Sequence, residues 1–176
     1  MGGSRGDLGY SFFGSHMQQD GWRDHSAVQN IFSQAKLNFR TSADSDLMVV
    51  FREFYSPLSK DPGALTSAEV HANPRQASAR NVQFNAGEEI RQEEIGMRFR
   101  NRFSGGKEFT ATTYLLHRDF QNRQAFFDGG QVQFDRWVGG LMLQFVNDHI
   151  LFHRPNRFLM GVDYGIQNDD RQRFDN

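Results

Sequence analysis

Cysteine is absent from the 176 residues, which excludes a disulfide framework, a thiolate metal site and a cysteine nucleophile. Lysine is scarce: of 20 basic side chains only 3 are lysine and 17 are arginine. Charge of one sign is missing too, since the formal net charge is -1. The broad basic face needed to hold nucleic acid is therefore not expected, and no nucleic-acid partner is assigned. No stretch approaches the ~20 consecutive apolar residues of a membrane-spanning helix. The start, Met1 followed by Gly-Gly-Ser-Arg-Gly-Asp, has no apolar signal-peptide region. Either the protein is cytoplasmic or its front end is missing.

What the chain does have is aromatic surface and guanidinium groups. Phenylalanine occurs 18 times, yet mean hydropathy is only -0.67. The length suits one ordinary domain with a serviceable core. Periodicity then decides the fold class. Residues 93–103 place Ile95, Met97, Phe99 and Phe103 on one parity and Glu94, Arg98, Arg100 and Arg102 on the other. Residues 30–40 set Ile31, Ala35, Leu37 and Phe39 against Asn30, Gln34, Lys36, Asn38 and Arg40, and 158–166 separate Phe158, Met160, Val162, Tyr164 and Ile166. Period two is the signature of strand. Less clean alternation over 8–17, 46–55, 107–117 and 131–146 brings the total to about seven strands, with Gly139-Gly140 marking a bulge or bend. These strands are nearer 10 to 15 residues than the usual ~5–6, and a bilayer-crossing strand needs about 9–11.

The connections, read as 20–26, 41–46, 57–88, 104–107, 119–130 and 147–156, alternate between longer and shorter. Long loops on one rim and short turns on the other describe a transmembrane β-barrel. Within the longest, Thr66-Ser67-Ala68-Glu69 forms a capping-box pattern and Pro74 stops a short helix after Asn73. Energetics assign the faces. Arginine on the lipid side of a barrel costs ~2–4 kcal/mol at the midplane, so Arg98, Arg100 and Arg102 belong in a wet lumen and Ile95, Met97 and Phe99 against hydrocarbon. A soluble β-sandwich or lipocalin-like binding module has the same alternation with inside and outside exchanged, and periodicity alone leaves both open.

Three stretches lean toward the membrane reading. Asp20-Gly21-Trp22-Arg23-Asp24-His25-Ser26, after a strand opening Asp7-Leu8-Gly9-Tyr10, resembles the strand–loop–strand segment of TonB-dependent outer-membrane receptors. Pro62-Gly63-Ala64-Leu65-Thr66, with Glu69 and Asn73-Pro74-Arg75-Gln76-Ala77, is similar to a long extracellular loop of that family's iron-siderophore or ferric-citrate members. Gly161-Val162-Asp163-Tyr164 through Asp169-Asp170-Arg171 resembles a later barrel strand and its loop. The resemblance implies an all-β antiparallel barrel of about 22 strands, plugged by an N-terminal domain and energised by the TonB complex, in the outer membrane of a Gram-negative bacterium. Plug, TonB box and closing strand are not seen, and an odd strand count cannot close. Residues 1–176 are therefore expected to be part of a receptor's barrel domain, importing a ferric siderophore or another metal chelate. A passive porin-like barrel is the nearest alternative.

No catalytic group, resident metal or cofactor is assigned. His149 and His153 flank a turn without a carboxylate partner, and Glu88-Glu89 and Glu93-Glu94 read as a solvated rim at a loop-to-strand junction. Arg5-Gly6-Asp7 is a turn leading into a strand, while Gly105-Gly106 and Gly129-Gly130 are hairpin glycines. Tyr10, Tyr55, Trp137 and Phe152 are candidates for aromatic girdles near the bilayer interfaces, against outer-membrane lipid. An anionic, oxygen-rich chelate calls for arginine forks and aromatic surface. In the extracellular loops Trp22, Arg23, His25, Arg75, Gln76, Arg80 and Asn81 supply them; the plainer reading is that they pack loop against loop.

Overall fold

The structure, a computed structural model, describes residues 1–175. Eight strands form one antiparallel sheet in strict sequence order: β1 (Gly2–Arg5), β2 (Leu8–Gln19), β3 (Val28–Arg40), β4 (Ser45–Lys60), β5 (Gly87–Phe103), β6 (Lys107–Arg123), β7 (Gln131–Leu151) and β8 (Arg154–Phe174). Two short helices, α1 (Ser67–Ala72) and α2 (Ala79–Gln83), lie in the connection between β4 and β5. No helix among the described residues is long and apolar enough to cross a membrane.

The count is eight rather than seven. The extra strand is β1, whose glycine-rich Gly2-Gly3-Ser4-Arg5 carries no alternation and is strand only because it pairs with Leu8–Ser11. Eight is a number that can close, so parity no longer argues for an open sheet. The topology does: β1 pairs only with β2, β8 only with β7, and no rung joins β1 to β8 among the described residues.

Register carries the alternation of each strand across the whole sheet. One rung reads Ala35, Phe51, Ile95, Leu115, Gly139, Ile166; the next of the same parity reads Leu37, Val49, Met97, Thr113, Leu141, Tyr164; a third reads Phe39, Leu47, Phe99, Ala111, Leu143, Val162. Together they make a continuous apolar band on one face. The opposite parity aligns Arg52 with Glu94, Asp46 with Arg100 and Arg136 with Asp169. A one-residue slip anywhere would put these ions into the band, so the pattern itself pins the register.

Nothing among the described residues covers the band. Phe51 is 43% exposed, Ile95 45% and Val162 63%, and among the described residues the buried apolar ones are only Val50, Ala86, Val132 and Val146. A sandwich needs a second sheet packed about 10 Å away, and a single sheet is what forms. The apolar side chains therefore do not make a dry core: the sheet is a piece of barrel wall. In β7 the band runs from Phe145 to Trp137, about 27 Å along the strand and roughly 20 Å along the normal of a bilayer at a 40° tilt.

The strands outrun their expected ends. The β7–β8 connection is the two-residue turn Phe152-His153, both in the left-handed region (φ 49° and 62°), as a tight hairpin twisted with its strands requires. Residues 147–151 and 154–157, expected in a loop, are paired strand. Glu93 and Glu94 likewise sit inside β5, on opposite faces, rather than at a junction. Gly139-Gly140 makes no bulge, since β7 keeps an unbroken register with both neighbours there. A Cβ on Gly140 would meet the Tyr114 ring at 2.5 Å, so this glycine makes room for a cross-strand aromatic. Short turns at 6–7, 41–44, 104–106 and 152–153 share one rim; the connections 20–27, 61–86 and 124–130 share the other.

Candidate functional site: loop platform and inner wall

The long-loop rim is built around Arg23. Its guanidinium donates to three main-chain carbonyls of the 61–86 connection: Nη1 to Gly63 O at 2.6 Å, Nε to Gln76 O at 3.0 Å and Nη2 to Pro62 O at 3.1 Å. The planar fork reaches all three because guanidinium spreads its donors over three nitrogens, whereas an ammonium carries all of its donors on one. Gly63 sits at φ 67°, and a Cβ there would collide with the Asn81 carboxamide. Glycine is required on both counts. The reciprocal contact comes from Arg75, whose Nε donates to Trp22 O at 3.1 Å, while Asp24 N donates to Arg75 O at 2.7 Å. His25 Nε2 lies 2.9 Å from Ala86 O.

The 61–86 connection is also stitched internally. Asn81 is buried and donates to Asp61 O and Oδ2 at 3.2 and 3.1 Å. Gln76 Nε2 donates to Glu69 O at 2.6 Å. The capping box of α1 is present: Glu69 N donates to Thr66 Oγ1 at 3.3 Å, and Thr66 N donates to Glu69 Oε2 at 2.7 Å. Those donors, the Thr66 amide first and its hydroxyl second, hold the Glu69 carboxyl below its ordinary value of 4.5. Phe84 and Phe127 meet edge to face at 4.6 Å, tying the 124–130 connection to the same platform.

The seven predicted loop residues thus separate by role. Arg23, His25, Gln76 and Asn81 spend their polar groups on neighbouring loop backbone, and Arg75 does so in part. Trp22 remains 61% exposed, and Arg80 is exposed on α2 with no hydrogen bond or ion pair from its guanidinium among the described residues. The packing these bonds create makes 20–27 and 61–86 one body, leaving Trp22, Arg75 and Arg80 as the groups with free surface.

Polar residues on the inner parity of the strands were legible singly but not as pairs. Arg52 bridges Glu94 at 3.0 Å, Arg100 bridges Asp46 at 2.9 Å and Arg102 approaches Glu108 at 3.5 Å. Toward the loop rim, Arg136 grips Asp169 with two bonds, Nε to Oδ1 at 2.8 Å and Nη2 to Oδ2 at 2.6 Å. Arg118 donates from Nε to the neutral Gln92 Oε1 at 2.7 Å. Phe120 and Phe134 stack beside them at 4.8 Å, with Arg136 lying 4.6 Å over the Phe134 ring. The outer parity at this level holds His117, stacked on Trp137 at 4.5 Å and 2.6 Å from Asp135, while Arg91 bridges Glu93 at 2.8 Å. Of the girdle candidates, Trp137 and Tyr55 lie at or just beyond the loop-side edge of the band, Tyr10 lies within it, and Phe152 tips the β7–β8 turn at 87% exposure. His149 lies on β7 and His153 in that turn.

No family model matches the chain. Among solved structures, the crystal structure of the ferric citrate transporter FecA in the unliganded form superposes on it with a TM-score of 0.80 at 15% identity. The match covers 98% of this chain and 25% of that one, so the chain spans a quarter of the transporter's length. At that identity the likeness speaks for the fold: the eight-stranded meander is built like a stretch of that transporter's barrel wall.

Proposed function

We propose that residues 1–176 are part of the barrel domain of a TonB-dependent receptor in the outer membrane of a Gram-negative bacterium, importing a ferric siderophore or similar metal chelate. The observation that carries this reading is the uncovered apolar band, backed on the other face of the same strands by ion pairs. A face of exposed Phe, Leu, Ile and Met at this scale demands an apolar neighbour, and a bilayer is one that fits a band roughly 20 Å tall. The inner face, by contrast, suits water or a plug. Under this reading the chain does no covalent chemistry. Ligand is caught at the loop platform, where Trp22, Arg75 and Arg80 offer aromatic surface and guanidinium donors, and energy arrives through the TonB complex. The structural neighbour's being a transporter supports this class over an enzyme.

Cell fractionation and uptake test the reading together. The protein is expected in the outer-membrane fraction after an alkaline carbonate wash, and cells lacking it are expected to lose energy-dependent uptake of a labelled ferric chelate. Recovery as a soluble monomer overturns the membrane assignment. Uptake that persists when the inner-membrane potential is collapsed points to the passive porin-like barrel instead.

A further inference from the structure

The apolar-band face of β5–β8 is charged differently at its two ends. Toward the long-loop rim it carries the acids Glu89, Glu93, Asp119, Asp135 and Asp170. Arg91, Arg123 and His117 are the basic groups there. Toward the short-turn rim the sign reverses. The edge rung of the band reads Phe103, Lys107, Asn147, Phe158; the next pairs His149 with Asn156, and the last pairs Leu151 with Arg154. No carboxylate stands on this parity from Phe103 outward, and the turn beyond is Phe152-His153. The overhang of the β7–β8 hairpin makes this end possible: β6 stops pairing at Lys107–Asn147, while β7 and β8 continue together to Leu151–Arg154. On the opposite parity the charges are spent on one another, with Arg102 3.5 Å from Glu108 and Arg157 3.6 Å from Asp148. Lys107 and Arg154 are exposed and make no ion pair or side-chain hydrogen bond among the described residues.

We infer that Lys107, His149 and Arg154 form a docking surface for the headgroups of anionic phospholipids in the leaflet at the short-turn rim. Height selects this occupant. Phe103 and Phe158 extend the apolar band by one rung, to roughly 25 Å along the normal, which is the height of a barrel's lipid-facing belt. His149 then stands about 5 Å beyond the hydrocarbon and Arg154 about 10 Å beyond it. The polar layer of a bilayer is about 5–8 Å deep on each side. Lys107, at its inner edge, extends outward into it, and the stem of Arg154 is long enough to reach back. An ammonium meets phosphate as a point charge, and a guanidinium meets it with two parallel donors. With no acid on the same face, the two cations favour a headgroup of net negative charge over a zwitterionic one. The inference rests on the bilayer part of the reading above and is independent of what the barrel imports.

The test uses the protein as its cells make it, purified from the outer membrane in mild detergent. It is offered equal amounts of phosphatidylglycerol and phosphatidylethanolamine with identical acyl chains, and the lipid retained is counted by native mass spectrometry. The wild type is expected to retain phosphatidylglycerol about 5- to 30-fold over phosphatidylethanolamine, the range that one or two cations near an anionic surface supply. Lys107→Gln combined with Arg154→Gln should bring the ratio to within about twofold of unity. Lys107→Arg combined with Arg154→Lys keeps both charges and should keep the preference, which separates loss of the surface from loss of the fold. Arg91→Gln combined with Arg123→Gln removes the same charge from the loop end and should also leave the preference in place. A wild-type ratio near unity overturns the surface, as does a preference that survives in the Lys107/Arg154 glutamine variant. An equal loss in the Arg91/Arg123 variant overturns it too, because overall charge rather than this face then sets the selection. In each of these cases lipid is still retained and the bilayer reading stands. Recovery of the protein in soluble form without lipid overturns both.

Discussion

Truncating Arg23 to alanine removes one side chain from the rim and three acceptors' partners at once. The carbonyls of Pro62, Gly63 and Gln76 lose their donors. A hydrogen bond to a charged group contributes about 1.5–3 kcal/mol, but these three share one fork and the site is only part-buried. After truncation water reaches part of the vacated space, so the three do not add. A loss of about 2–4 kcal/mol in docking the 61–86 connection follows, or ~30- to 1,000-fold in its docked population. Hydrogen exchange read by mass spectrometry on peptides from 61–86 is the assay. Protection there is expected to fall by that factor in Arg23→Ala, while peptides from the middle of β6 keep theirs, because local openings of a loop need not touch the sheet. Arg23→Lys should be intermediate, since an ammonium reaches fewer of the three carbonyls. A fall of less than about threefold in Arg23→Ala refutes the clamp and returns Arg23 to the pool of free ligand groups.

Two further expectations follow from faces and caps. In the membrane-embedded protein Leu141→Arg, on the apolar band, should cost ~2–4 kcal/mol in urea unfolding. Gln144→Arg, three residues on and facing inward, should cost well under 1 kcal/mol, and equal costs contradict the assigned faces. The lowered Glu69 carboxyl belongs to the folded state, so its contribution to α1 is present above the ordinary value of 4.5 and is lost as pH falls through the lower folded value. Exchange at the Thr66 amide, corrected for intrinsic rate, should therefore speed up on acidifying below pH 4.5 in the wild type. In Glu69→Gln that dependence should vanish, and a pH-independent wild type contradicts the capping role.

How much of this was legible in the sequence varied with the range of the interaction. Strand identity was readable in β3, β5 and β8, where hydrophobicity alternates locally, and so was the α1 cap, whose partners stand three residues apart. The ends of β5, β7 and β8 were not, because their terminal residues carry no clear apolar–polar alternation and become strand only by pairing. β1 was invisible for the same reason. In the loops, donor-rich residue types are visible in the sequence, but their partners lie 39 to 53 residues away in sequence for Arg23, and no local pattern announces that. The inner-wall arginines could be assigned a face from parity; that Arg118 opposes Arg136 needed the register, which sequence spacing does not give.

The central claim is that odd-numbered residues of β7 face lipid and even-numbered ones face the lumen. The absence of cysteine makes single-cysteine scanning of this chain direct. Cysteines placed one at a time from Leu141 to Phe145, in the protein embedded in its membrane, would be challenged with a water-soluble maleimide and with a lipid-confined quencher acting on a thiol-linked fluorophore. The account predicts strict alternation: positions 142 and 144 react with the aqueous reagent, and 141, 143 and 145 are quenched from the lipid. Aqueous labelling of all five positions, or alternation of the opposite phase, contradicts it.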